Sequence, residues 1–249
     1  MTASPSEADV YDAYVLADKQ GLLRIRTIVY TPIQYWQEVL ADMGSRTYSS
    51  ERLRWGGFKG LTDGALGSTT AWFYEPYLDA PDKTGFPLIE QAQLEAMLSD
   101  TDAANVDVAI HAIGDRAIDG VIDSMRNTAG ERIKSKRYRI EHFQHPSEAA
   151  ITALADSGII ASMQPYHAID DGRWAEKRIG AERIRTTYAF KSIIDAGGIL
   201  SFGSDWPVAP LAPLKGIYAA VTRQTIDGAN PQGWMPQEKI SVEQALRAY

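Results

Sequence analysis

The sequence contains no cysteine, which excludes disulfides and thiolate metal sites; any metal must rest on His, Asp, Glu or lysine-derived ligands. Histidine is scarce as well, with four in 249 residues. There is no excess of basic charge: 25 Lys and Arg stand against 32 Asp and Glu, a net charge of −7. That balance argues against nucleic acid or an anionic membrane as partner, because either would need a basic footprint. No uncharged run approaches the ~18–20 residues that cross a bilayer. Met1-Thr-Ala-Ser-Pro5 opens without the apolar stretch of a signal peptide, so the cytoplasm is the expected compartment. Internal repeats and low-complexity tracts are missing too. What is there, 45% hydrophobic and 23% charged residues, is the composition of an ordinary globular protein.

A short β-rich run, a loop and a helical pattern recur along the chain. Leu22–Tyr30 alternates apolar and polar positions as a strand does. Further strands are predicted at Trp55–Lys59, Val106–His111, Tyr138–His142, Ile159–Gln164 and Ile199–Ser204. Helices are predicted at Ser6–Lys19 and Glu90–Leu98, from about Glu148 to Gly158, and from about Glu182 to Gly197-Gly198. Ala117, Val121 and Met125, with Ile118 and Ile122, form one apolar helical stripe, and Ser241-Val-Glu-Gln244 reads as a capping box. Strand–helix alternation predicts a parallel sheet covered by helices. The long segment Leu61–Asp102, rich in aromatics and proline, interrupts the rhythm; its aromatics either cover a site or pack on the scaffold. Six strands are two fewer than a closed (β/α)₈ barrel requires, and the chain starts and stops in helical patterns. The expectation is an α/β fold, an incomplete barrel whose first two strands are absent.

Polar residues stand at the ends of the predicted strands. His111 ends Val106-Asp-Val-Ala-Ile, His142 ends Tyr138-Arg-Ile-Glu, Asp205 follows Ile199-Leu-Ser-Phe-Gly-Ser, and Lys59 closes Trp55-Gly-Gly-Phe. In parallel α/β folds the C-terminal strand ends are where sites are built, so the four should converge on one mouth. Neutral imidazole and carboxylate suit zinc and similar divalent ions, which make hydroxide available near neutral pH. Histidines capping backbone carbonyls would produce the same pattern, and a strand lysine can be an ordinary charged residue.

Five strings occur in order: Phe58-Lys-Gly-Leu-Thr-Asp-Gly-Ala-Leu-Gly-Ser68, His111-Ala-Ile-Gly-Asp-Arg-Ala117, Arg139-Ile-Glu-His142, Met163-Gln-Pro165 and Phe202-Gly-Ser-Asp-Trp-Pro-Val208. Together they resemble the amidohydrolase superfamily, in its family 3 or YtcJ-like branch, from about Leu22 to Tyr249. The resemblance implies a metal-dependent hydrolase on a distorted (β/α)₈ barrel, acting on the C–N bond of a small-molecule amide or related acyl-nitrogen group. It implies a divalent metal, zinc in one or two ions, held by His111, His142, Asp205 and a carboxylated Lys59. Asp205 would also take the proton of the attacking water. The family's His-x-His pair has no counterpart in this sequence. Residues 1–249 are therefore expected to be a partial barrel domain, read as strands three to eight, without the flanking β-sandwich. Such a piece should show little turnover alone, and its exposed strand edges invite homo-oligomers. A deaminase, an esterase or a non-catalytic remnant are the alternatives. His167 stands where it can touch substrate. Asp63 and Arg116 flank the mouth, as substrate contacts or loop anchors; Trp206 walls the pocket or packs. His145 is expected to be structural.

Overall fold

The structure, a computed structural model, describes residues 10–249. Six strands form one sheet in the order β1 to β6: Thr27–Pro32, Leu53–Leu61, Val108–Ala112, Arg139–His142, Ile160–Met163 and Ile199–Phe202. Every neighbouring pair is parallel. Sequential parallel strands joined by helices are barrel order, and β1 does not pair with β6. The fold is α/β, an incomplete barrel of the (β/α)₈ type.

The helices are α1 Val10–Lys19, α2 Trp36–Ala41, α3 Gln91–Ala103, α4 Asp115–Ala129, α5 Glu148–Ser157, α6 Pro165–Asp171, α7 Ala175–Arg183, α8 Phe190–Asp195, α9 Pro213–Thr222 and α10 Val242–Ala248. The predicted stripe of α4 is buried from Ala117 to Met125. Each of its larger apolar side chains contributes about 1.5–3 kcal/mol by leaving water. Helix α5 begins on a Ser147 side chain that accepts from the Ala150 N–H and ends on left-handed Gly158. The Ser241–Gln244 capping box opens α10.

Strand parity separates two faces of the sheet. Phe58, Ile110, Ile140 and Ala161 share one face by register and are fully buried under the helices. Lys59, His111, Arg139, Glu141, Ser162 and Ser201 lie on the other, inner face. That face is open at both edges, where Ile28 is 46% and Ile199 51% exposed. Lys59 reaches it because of a bulge. The register slips between Val29/Tyr30 and Trp55/Gly57, so residues before and after point oppositely. Leu53 is buried toward α1 with Tyr11 and Val29; without the slip Lys59 would share that outer phase. Gly57 permits the bulge at φ 110°, and a Cβ there would sit 2.0 Å from the Asp107 carbonyl oxygen.

Two expectations change. The strand predicted at Leu22–Tyr30 begins only at Thr27, because its partner β2 starts at Leu53, opposite Thr27, and offers Leu22–Arg26 nothing to pair with. Residues 6–9 of the first predicted helix lie outside the described residues. The single helix predicted from Glu182 is broken into α7, a tight turn and α8. Tyr188 at φ 53° separates them, its amide bonded to the Gln144 carbonyl and its own carbonyl to Arg223. The aromatic segment is mixed: Phe73 and Tyr77 pack in the core with rings 5.3 Å apart, while Tyr74 is exposed. No helix among the described residues is long and apolar enough to cross a membrane.

Candidate metal centre

His142, His167 and Asp205 come together at the C-terminal ends of β4, β5 and β6, each offering a ligand atom within 4.8 Å of the others. His142 closes β4 at φ 72°, and Phe143 follows at φ 44°, two left-handed residues that turn the imidazole into the mouth. His167 is the third residue of α6, which starts with Pro165 at its first position directly after Gln164. Asp205 lies past the end of β6 at φ 56° and accepts the Val208 amide through its carbonyl. The His142 and His167 rings are nearly parallel, 9° apart in plane with centroids at 6.1 Å. His167 Nε2 is 3.9 Å from Asp205 Oδ2, too far for a hydrogen bond.

Two nitrogens here are buried without a hydrogen-bond partner, His142 Nδ1 and His167 Nε2. Burial holds the His142 imidazole well below its ordinary range, helped by the electrostatics of neighbouring His111, Lys59 and His167 and opposed by a contact with the Gln164 side chain. Burial also lowers His167, against the pull of Asp205. Both are therefore neutral with lone pairs available, the state a metal requires. Burial raises the Asp205 carboxyl, while His167, Lys59 and His111 oppose the rise. Two neutral imidazoles and a carboxylate fit a divalent ion of the zinc type.

His111 and Lys59 adjoin the group. The His111 ring meets that of His142 edge-on at 4.6 Å. Its Nε2 lies 2.9 Å from the Gly64 carbonyl oxygen, which can only accept, so Nε2 carries the proton and Nδ1 the lone pair. Lys59 Nζ donates to the Gly60 carbonyl at 3.2 Å. Burial pulls its amine down to about 8, with Glu141 and Asp205 opposing.

Asp63 is not open to substrate. It is 0% exposed; Oδ1 accepts the Ile113 amide, and Oδ2 accepts those of Gly114 and Trp72. It anchors the turn after β3 and stands 3.3 Å from His111 Nε2, so it reaches the mouth only through the histidine it orients. Arg116 covers the rings of Trp72 and Tyr74 at 4.4 and 5.7 Å. Trp206 is 67% exposed and does not pack. His145 is buried between Gln144 and Thr187, and burial holds it at about 3. Sequence reasoning missed the Arg139–Glu141 ion pair of 2.7 Å on the inner face, although its period-two spacing on β4 announced a shared side.

The sequence model of the amidohydrolase family matches residues 4–249. The chain belongs to the amidohydrolase family. A 38% identical relative is Protein LONG AFTER FAR-RED 3 of Arabidopsis thaliana, aligned over 96% of this chain and 41% of that protein. The putative amidohydrolase YtcJ of Bacillus subtilis is 30% identical over 81% of this chain and 38% of its own length. An uncharacterised metal-dependent hydrolase from Pyrococcus horikoshii superposes with a TM-score of 0.86 at 28% identity, covering 96% of this chain and 47% of that one. The chain thus spans about two fifths of the length of these two curated relatives.

Proposed function

We propose that this amidohydrolase chain serves zinc-dependent hydrolysis of a C–N bond in a small-molecule amide. The observation that carries the reading is the convergence of His142, His167 and the Asp205 carboxylate, each with a ligand atom within 4.8 Å of the others, at a place where imidazole nitrogens are buried without a hydrogen-bond partner. His142, His167 and Asp205 would hold the ion, with Lys59 and His111 Nδ1 the nearest further donors, sufficient for one or two ions. A divalent ion there lowers the pKa of water and polarises a carbonyl. Asp205 accepts the proton of the attacking water at its carboxylate and returns it to the departing nitrogen, work for which a raised carboxyl is suited. Asp63 keeps the His111 lone pair on Nδ1. The half-buried Lys59, with its lowered amine, supplies the uncharged form that carboxylation by CO₂ needs.

The N-substituted formamide deformylase of Arthrobacter pascens is 28% identical over 58% of this chain, which favours N-formyl and N-acyl amines as the first substrates to try. A second reading, a metal-binding but non-catalytic domain, is favoured by the lack of any His-x-His string. The test is amine release from such a panel with zinc added, for the native chain and for Asp205→Asn. Slow, zinc-dependent release that the substitution abolishes is expected. Zinc-independent release, or loss of ammonia from ring amines instead, would contradict the acyl-cleavage reading. Bound zinc with no release from any substrate would favour the second reading.

A further inference from the structure

Behind His142 and His167 lies a buried polar chain that none of the roles above uses. Asp171 Oδ2 accepts from Gln144 Nε2 at 2.8 Å and from the Tyr188 hydroxyl at 2.6 Å. Gln144 Nε2 also lies 3.0 Å from His145 Nε2, and His145 Nδ1 lies 2.8 Å from Thr187 Oγ1. The proton positions follow from one fixed end. Thr187 donates its hydroxyl proton to the Arg183 carbonyl, so its oxygen must accept from His145 Nδ1–H. His145 Nε2 then bears the lone pair and accepts one Gln144 amide hydrogen. The other Gln144 hydrogen goes to Asp171. Every donor in the chain is used once.

The chain joins the two segments that carry the facing imidazoles. Gln144 is two residues beyond His142, past two left-handed residues whose conformation costs energy unless the surroundings impose it. Asp171 is the last residue of α6, one helical turn after His167 and so on the same side of the helix. The Gln144–Asp171 bond therefore sets how far α6 stands from the end of β4. Tyr188 holds the same carboxylate oxygen from the α7–α8 connection, whose carbonyls Arg223 binds.

We propose that Asp171 and Gln144 are positioning residues that fix the approach of His167 to His142, and through it the affinity of the site for zinc. The inference rests on the zinc reading above, so its test includes a metal-free measurement. Both bonds to Asp171 fall on Oδ2, so Asp171→Asn can keep both acceptor contacts, whereas Asp171→Ala loses both. Zinc affinity is measured by titration of the native chain and the two variants, together with ring ¹⁵N shifts of His142 and His167 before metal is added. Asp171→Ala is expected to weaken zinc binding roughly 10–100-fold and to move the His167 ring signals in the metal-free chain. Asp171→Asn is expected to stay near the native values in both. If Asp171→Ala fails to fold, Gln144→Met, of similar length but without donors, is read in the same way. Unchanged zinc affinity and unmoved ring signals in a folded variant would overturn the proposal, leaving the network a purely structural one. Failure of the native chain to bind zinc would sink the metal reading instead, and the ring signals alone would then decide whether Asp171 positions His167.

Discussion

A polar atom buried without a partner costs about 1–3 kcal/mol, and His142 and His167 each carry one. That cost is recovered if an ion binds both nitrogens, so zinc should stabilise the fold. At a free concentration 100 times its Kd the gain is about 2.7 kcal/mol, read as a rise in Tm; Asp205→Asn, which removes one ligand charge, should shrink the rise. An equal rise in that variant would place the zinc elsewhere. Asp171 offers a separate prediction. Burial pushes its carboxyl from 3.8 up to about 6, against the bonds from Tyr188 and Gln144. Between those values the folded chain binds a proton that the unfolded chain does not. Stability contributed by this residue is therefore lost as pH rises from about 4 to 6, and stays lost above. Asp171→Asn has no such loss. Its stability relative to native should grow by about 2–3 kcal/mol over that window and then level off. Urea melts at several pH values read the difference directly, and a flat difference would show that Asp171 titrates as an exposed carboxyl.

At the scale of elements, what the sequence disclosed depended on where the causes lie. Helix α5 was legible at both ends because its cap and its stop are local, Ser147 and Gly158. Ser147→Ala should cost about 1 kcal/mol in equilibrium unfolding, with no effect on zinc binding. The break between α7 and α8 was not legible. Its cause is Arg223, 35 residues along the chain from Tyr188, whose guanidinium takes the carbonyls a helix would have used. Lys59 was found by its position in a strand, yet its inward direction depends on a bulge that alternation alone does not reveal. Gly57→Ala tests that dependence. The new Cβ collides with the Asp107 carbonyl at a positive φ, so a loss of about 2–4 kcal/mol is expected. A variant of native stability would mean that the bulge can relax without Gly57.

For the molecule as a whole, open-barrel order gathers strand ends on one side, and this is why His142 and Asp205 could be placed together from sequence. His167 was recognised only as a residue near the mouth; its place in the trio depends on where α6 docks, and the bond from Asp171 on that helix goes to Gln144 on a separate segment beyond β4. For Asp63 the sequence left substrate contact and loop anchoring open, and the choice is made by backbone amides that only the folded loops deliver to its carboxylate. The sheet's two edges are a further whole-molecule property. Among the described residues, strands β1 and β6 each lack an outer neighbour, and exposed Ile28 and Ile199 accompany them. Unpaired edges template association, so the chain should self-associate in light scattering as its concentration rises. Ile199→Lys should shift it toward monomer while changing stability by less than about 0.5 kcal/mol. A native chain that stays monomeric at every concentration would show that these edges are protected.

The proposed ligands of the divalent metal are the imidazoles of His142 and His167 and the carboxylate of Asp205. Anomalous diffraction at the zinc edge, from crystals of the zinc-soaked chain, tests this assignment most directly. A strong peak is expected about 2.0–2.2 Å from a ring nitrogen of His142, a ring nitrogen of His167 and an Asp205 oxygen. Zinc confined to surface carboxylates, with both imidazole nitrogens left unpartnered, would contradict it.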